Sequence, residues 1–152
     1  MNSLLFSLST IVAVLVAPAV AQSGQATFYS PYVPSSCYGF DTSKFPPGNL
    51  IAAASKDLFR NKELCGAYFE ITCKGAVSGS GGCSGTPTVK VRVVDLCPGC
   101  HANSFDLSIE AFSRIAKLDV GRIKITSRRV SGVGEEEEGD EIEMVVGRAM
   151  EP

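Results

Sequence analysis

The sequence predicts a small, mainly β domain closed as a barrel, carrying one or two short helices and stapled by disulfides. Three observations predict it. Short segments of alternating apolar and polar residues recur along the chain. Clusters of Gly, Pro and Ser separate them. Six cysteines (Cys37, Cys65, Cys73, Cys83, Cys97 and Cys100) follow an N-terminal export signal, and an even number in a short exported chain implies a disulfide framework. With 152 residues the chain has length for one domain with a real core.

The two ends are expected to stand apart from that core. Residues 1–21 read as a signal peptide: an apolar run from Leu4 to Val16, a break at Pro18, and the small-residue cleavage pattern Ala19-Val20-Ala21. The run is too short to span a bilayer, and no second run is long enough. The body, residues 22–130, carries 13 Lys/Arg against 8 Asp/Glu, a balance of +5. Residues 131–152 carry one Arg against 8 acids, a balance of −7, and read as a solvated, disordered tail. A mildly basic exported domain suits anionic surfaces such as acidic polysaccharide. Its charge is too diffuse for nucleic acid, and no nucleic-acid motif is present.

The elements follow in order. Gln25–Tyr29 is rich in β-formers and predicts a first strand. Ser30 to Ser36, with two prolines, breaks it, and Asp41 to Asn49 with Pro46-Pro47-Gly48 is loop. Leu50–Ala54 is short and apolar; the closely bounding Pro47-Gly48 favours a strand over a helix start. Tyr68–Cys73 alternates and predicts a strand, and Gly75–Pro87 predicts a surface loop pinned by Cys83. In Thr88–Val94, Val89, Val91 and Val93 alternate with Lys90 and Arg92, so continued alternation would place Asp95 on the valine face, where a carboxylate is costly without a partner. After the Cys97-Pro-Gly-Cys100 turn the chain returns as Phe105-Asp106-Leu107. Ser108 is a good N-cap for a short helix whose apolar stripe is Ile109, Phe112, Ile115 and Ala116. Arg122–Thr126 predicts the last strand, with Ile123 and Ile125 inward.

Several of these segments, taken in order, resemble a known family. Gly24-Gln-Ala-Thr-Phe-Tyr29, Ser36-Cys-Tyr-Gly39, Ile51-Ala-Ala-Ala-Ser55, Leu64-Cys-Gly66, Phe69-Glu-Ile-Thr-Cys73, Val93-Val-Asp-Leu-Cys-Pro-Gly-Cys100 and Phe105-Asp-Leu-Ser108 are similar to plant natriuretic peptide-like proteins. These are small secreted relatives of expansins with a family-45 endoglucanase-like domain. The resemblance covers roughly residues 24–130 and implies a six-stranded double-psi β-barrel. It also implies the pairings Cys37–Cys65, Cys73–Cys83 and Cys97–Cys100, which spacing alone leaves open.

Two constellations carry candidate chemistry. Family-45 glycosidases use two aspartates, one as acid and one as base, on opposite sides of the scissile bond. The matching acid is Asp106. The base belongs just after the first strand, where this chain has Ser30 and Pro31, so hydrolysis is not expected and no catalytic residue is assigned. Expansin resemblance instead implies a groove lined by Thr27, Tyr29, Asp95 and Asp106. Tyr29 and Tyr32 supply either a face for sugar rings or barrel core, and the alternative role for Asp106 is to help cap the helix at Ser108. The second constellation, Cys97-Pro-Gly-Cys100-His101, fits haem attachment, a zinc half-site or a redox pair less well than a structural disulfide. The chain has one histidine, no convincing further zinc ligands, and no βαβ context. No metal and no cofactor are expected.

The leading expectation is a secreted, apoplastic, non-enzymatic monomer. Resemblance to plant natriuretic peptides implies action in water and solute balance through a cell-surface receptor. The alternatives are expansin-like binding or modification of cell-wall polysaccharide, and a barwin-like defence protein, the last on fold analogy alone.

Overall fold

A computed structural model of the chain describes residues 20–132. The expected signal peptide, apart from its last two residues, and nearly all of the expected acidic tail lie outside that range. Six strands form a closed barrel: β1 (Gln22–Tyr29), β2 (Ile51–Ser55), β3 (Tyr68–Ala76), β4 (Thr88–Cys97), β5 (Phe105–Ser108) and β6 (Ile123–Val130). Around the barrel the order is β1-β5-β2-β4-β3-β6, closing on β1. Two neighbouring pairs, β1 with β5 and β2 with β4, run parallel, and the other four run antiparallel. Closure leaves no free sheet edge, so the backbone donors and acceptors of these short strands are mutually satisfied.

The interior follows from the alternation. Val89, Val91 and Val93 of β4 meet Phe69 and Ile71 of β3, Ile123 and Ile125 of β6, and Phe105 and Leu107 of β5, all buried. Phe69 and Phe105 pack with ring centroids 5.2 Å apart. Ala26, Ala52 and Ala54 let β1 and β2 approach this filling closely. A short helix α1 (Lys56–Phe59) inserts Phe59. The helix α2 (Ile109–Ile115) covers the core with Ala111, Phe112 and Ile115, and Phe112 packs 4.9 Å from Phe28. Burying such a side chain contributes about 1.5–3 kcal/mol. Ser108 caps α2: its Oγ accepts from Ala111 N at 3.1 Å and donates to the Asn49 carbonyl at 2.6 Å.

Three expectations are corrected. The helix stripe is Ala111, Phe112 and Ile115, because α2 ends at Ile115; Ile109 is only half-buried and Ala116 is buried beyond the helix, in extended backbone. β6 runs on to Val130 because its inward position after Ile125 is the small Ser127, which is buried despite being polar. Its partner β1 correspondingly starts at Gln22, paired with Ser127. Third, Asp95 does not lie on the valine face. The β2–β4 register shifts between Ala52 and Ala53, so that Ala52 faces Val93 but Ala53 faces Asp95. Val94 is the extra residue of this bulge. Val93 and Val94 are both fully buried, and alternation resumes with Asp95 turned off the core face.

The disulfides are Cys37–Cys65, Cys73–Cys83 and Cys97–Cys100. The first ties the long β1–β2 connection to the turn before β3, the second closes the Gly-rich loop after β3, and the third closes the turn leaving β4. Gly24 marks a close approach: a Cβ there would lie 2.0 Å from the Asn103 carbonyl oxygen, so β1 and the chain entering β5 touch only because no side chain intervenes.

Candidate functional site

The barrel order places four residues in one row across four neighbouring strands. Thr27 of β1 pairs with Asp106 of β5, Asp106 pairs with Ala53 of β2, and Ala53 pairs with Asp95 of β4. Residues in register share a face of the sheet. The face is the outer one, since Phe105 and Leu107 on either side of Asp106, and Ala52 and Ala54 on either side of Ala53, belong to the core. The two carboxylates therefore flank a methyl group, about two strand spacings or roughly 10 Å apart at the backbone. Three expected groove residues, Thr27, Asp95 and Asp106, thus stand together. The fourth, Tyr29, is two residues further along β1 on the same face, paired with Ser108.

Each carboxylate is differently held. Thr27 Oγ1 donates to Asp106 Oδ1 over 2.7 Å. Partial burial pushes the Asp106 carboxyl up from its ordinary value, and the charge of Asp95 adds to this; the Thr27 bond and the Arg122 guanidinium oppose it without cancelling it. Asp95 Oδ1 accepts from Ser36 N and from Leu96 N, both at 2.8 Å. That contact, with Cys37 N donating to the Val94 carbonyl at 3.0 Å, fastens the β1–β2 connection against β4.

The aromatic end of the face is equally fixed. Tyr29 and Tyr32 meet edge-on with centroids 5.4 Å apart. The Tyr29 hydroxyl is buried and has no hydrogen-bond partner among the described residues. Burial, and then the charges of Asp95 and Asp106, push its phenol far up, so it stays neutral as a donor. Tyr32 donates to Glu110 Oε2 and accepts from Ile109 N at 3.1 Å. Asn49 Nδ2 donates to the other oxygen of Glu110 at 3.3 Å. Partial burial raises the Glu110 carboxyl, but these bonds outweigh it and hold the group below its ordinary value.

Hydrolysis would require a base facing the acid. Ser30 and Pro31 follow the end of β1, and neither can take a proton from water at neutral pH. Asp41, the next acid in sequence, is exposed on the following loop, with its Oδ1 turned onto Ser43 N at 2.8 Å. Cys97 and Cys100 are joined, and His101 is exposed beside them. Among the described residues no three His, Cys, Asp or Glu side chains are grouped to hold a metal, and no helix is long and apolar enough to cross a membrane.

Three members of this face escape sequence reasoning. Ala53 is an ordinary small residue until pairing puts it between two acids. Glu110 reads only as a helix-start acid. Arg122 reads only as the polar start of β6. One signal was available: Gln25, Thr27 and Tyr29 alternate along β1, which puts all three on one side.

A double-psi β-barrel family model described as lytic transglycolase matches residues 51–127. An EG45-like domain containing protein of Citrus jambhiri is 46% identical over 115 residues, covering 70% of this chain and 80% of that protein. Expansin-A21 of Arabidopsis thaliana is 35% identical over 103 residues, covering 61% of this chain but only 36% of the expansin. Among solved structures, the apo expansin of Clavibacter michiganensis superposes with a TM-score of 0.60 at 26% identity, covering 74% of this chain and 51% of that one. A point mutant of the same expansin, solved in complex with cellohexaose, gives 0.56 at 25% identity, covering 74% and 51%.

Proposed function

Because the chain belongs to the EG45-like, expansin-related family of double-psi β-barrel proteins, we propose that it is a secreted apoplastic protein that binds cell-wall glycan on its outer face without hydrolysing it. The observation that carries this reading is the row Thr27–Asp106–Ala53–Asp95. Thr27, Asp106 and Asp95 are half-buried and stand on either side of Ala53, which is buried and too small to project between them, so the strip offers a row of polar groups to a sugar's hydroxyls. Tyr29 and Tyr32 extend the strip with an aromatic edge. The related expansin in complex with cellohexaose supports the ligand class. The empty base position after β1 argues against hydrolysis.

The test is calorimetric titration of the secreted protein with cellohexaose. Binding that falls at least about tenfold in both Thr27→Val and Asp106→Asn supports the reading, since a hydrogen bond to a charged partner has that order of effect. Binding unaffected by either substitution, or no binding to any wall glycan, contradicts it.

A second reading is signalling in water and solute balance through a cell-surface receptor. It is favoured by coverage: the chain matches 80% of the EG45-like relative against 36% of the expansin. Wall-free protoplasts separate the two. Swelling in response to the protein, unchanged by Asp106→Asn, supports the receptor; a response that requires the wall supports the glycan.

A further inference from the structure

The outer face is not electrically uniform. Glu110 and Tyr32 stand at one end, Asp95 and Asp106 at the centre, and at the other end a cleft of about 80 Å³ opens beside Thr27. Gln25 and Ser104 wall it at the starts of β1 and β5, Arg122 walls it just before β6, and the Cys97–Cys100 loop with His101 closes the far side. The walls are fixed: Gln25 N donates to Ser104 Oγ at 3.0 Å, Ser104 Oγ donates to the Ala102 carbonyl at 3.2 Å, and the disulfide holds the loop. The guanidinium of Arg122 is weakly engaged. Its Nη1 donates to Gln25 Oε1 over a long 3.4 Å, and the ion pair formed among the described residues is elsewhere, between Arg128 and Glu70. The face thus ends in a single, available, planar cation next to a row of acids.

We propose that this cleft is a subsite for one carboxylated sugar, and that the preferred ligand is a largely neutral glycan carrying an isolated uronate. The inference rests on the reading of the adjoining face as a glycan site. A guanidinium offers paired N–H donors that match a carboxylate's two oxygens, with the Gln25 amide and Ser104 hydroxyl beside it for the sugar's own hydroxyls. A glycan charged at every unit would instead lay carboxylates against Asp95, Asp106 and Glu110, and like charges at such distances repel. The cleft accommodates a substituent rather than a run of rings, which fits one acidic branch at the end of a neutral chain.

Three probes test this on the secreted protein at low salt: a linear xylo-oligosaccharide, the same chain bearing one glucuronate branch, and an oligogalacturonate of equal length. The branch should tighten binding about tenfold over the unbranched chain, the order expected of a charge-assisted bidentate contact. The oligogalacturonate should bind less tightly than the branched chain. Arg122→Gln should abolish the gain from the branch, and Arg122→Lys should keep part of it. Arg60→Gln, the same charge change at the end of α1, should keep all of it. Three results would overturn the inference: no gain from the branch, equal loss of the gain in Arg60→Gln, or tightest binding to the oligogalacturonate. Binding of the unbranched chain without gain leaves the glycan reading standing; failure of all three probes removes that reading and this inference with it.

Discussion

Asp95 shares the outer face of the barrel with Asp106 because Val93 and Val94 are consecutive buried residues. A strict alternation would have sent Asp95 into a core of valine, isoleucine and phenylalanine. The bulge at Val94 does two things at once: it buries a second valine and delivers a carboxylate to Ala53, opposite Asp106. One residue of register therefore separates a carboxylate in the core from one on the face.

Deleting Val94 should be severely destabilising. It removes the bulge and a fully buried valine while Asp95 keeps its place opposite Ala53, and losing a buried apolar side chain with the repacking this forces costs several kcal/mol. A marked fall of the melting temperature is expected. A deletion variant with native-like stability would show that neither the bulge nor the buried Val94 side chain is needed for the fold.

Asp106→Asn should stabilise the protein at neutral pH. The folded-state pKa of Asp106 is raised above its unfolded value of 3.8, mainly by burial. Between those two values the folded chain binds the proton more strongly than the unfolded chain, so stability falls as pH rises through the folded pKa, and the cost persists at pH 7. Asparagine removes the charge and keeps an oxygen to accept from Thr27. The gain in melting temperature should be clear at neutral pH and should vanish below the unfolded value. A gain that grows in acid would contradict the assigned cause.

Much of the barrel was legible before any pairing was known. Val89, Val91 and Val93, then Ile123 and Ile125, announce inward faces by their period, and Ser108 announces a helix start. What alternation cannot report is an interruption of itself, and the bulge at Val94 is invisible because valine suits both faces. The continuation of β6 past Ile125 is hidden for a related reason: Ser127 is polar yet buried. The site was legible as separate residues only. Thr27 and Asp106 are 79 positions apart, and only the parallel β1–β5 pairing makes them hydrogen-bond partners. Arg122 and Glu110 carry no local mark of the face they join.

Replacing Cys37 and Cys65 together by alanine should lower stability by about 3–4 kcal/mol, the chain-entropy value for a loop of this size. The bond closes a loop of sequence separation 28 and anchors the chain one residue after Ser36, whose amide binds Asp95. Denaturant unfolding measures the loss. A change under about 1 kcal/mol would mean that hydrogen bonding alone holds the connection.

Truncation after residue 130 should leave the barrel folded. β6 closes the barrel against β1 and β3 and ends at Val130, paired with Tyr68. The melting temperature should move by no more than about 2 °C, within the range of surface changes. A fall of about 10 °C or more would show that the acidic segment contributes to packing.

The outer face is proposed to bind glycan without cutting it. Reducing ends are followed during prolonged incubation of the purified protein with soluble β-1,4-glucan, with binding to the same glucan measured on the same sample. Binding that Asp106→Asn weakens at least about tenfold, and no reducing sugar above the blank, are expected. Release of reducing sugar that Asp106→Asn stops would contradict the proposal, and would make Asp41 the first residue to test as the base.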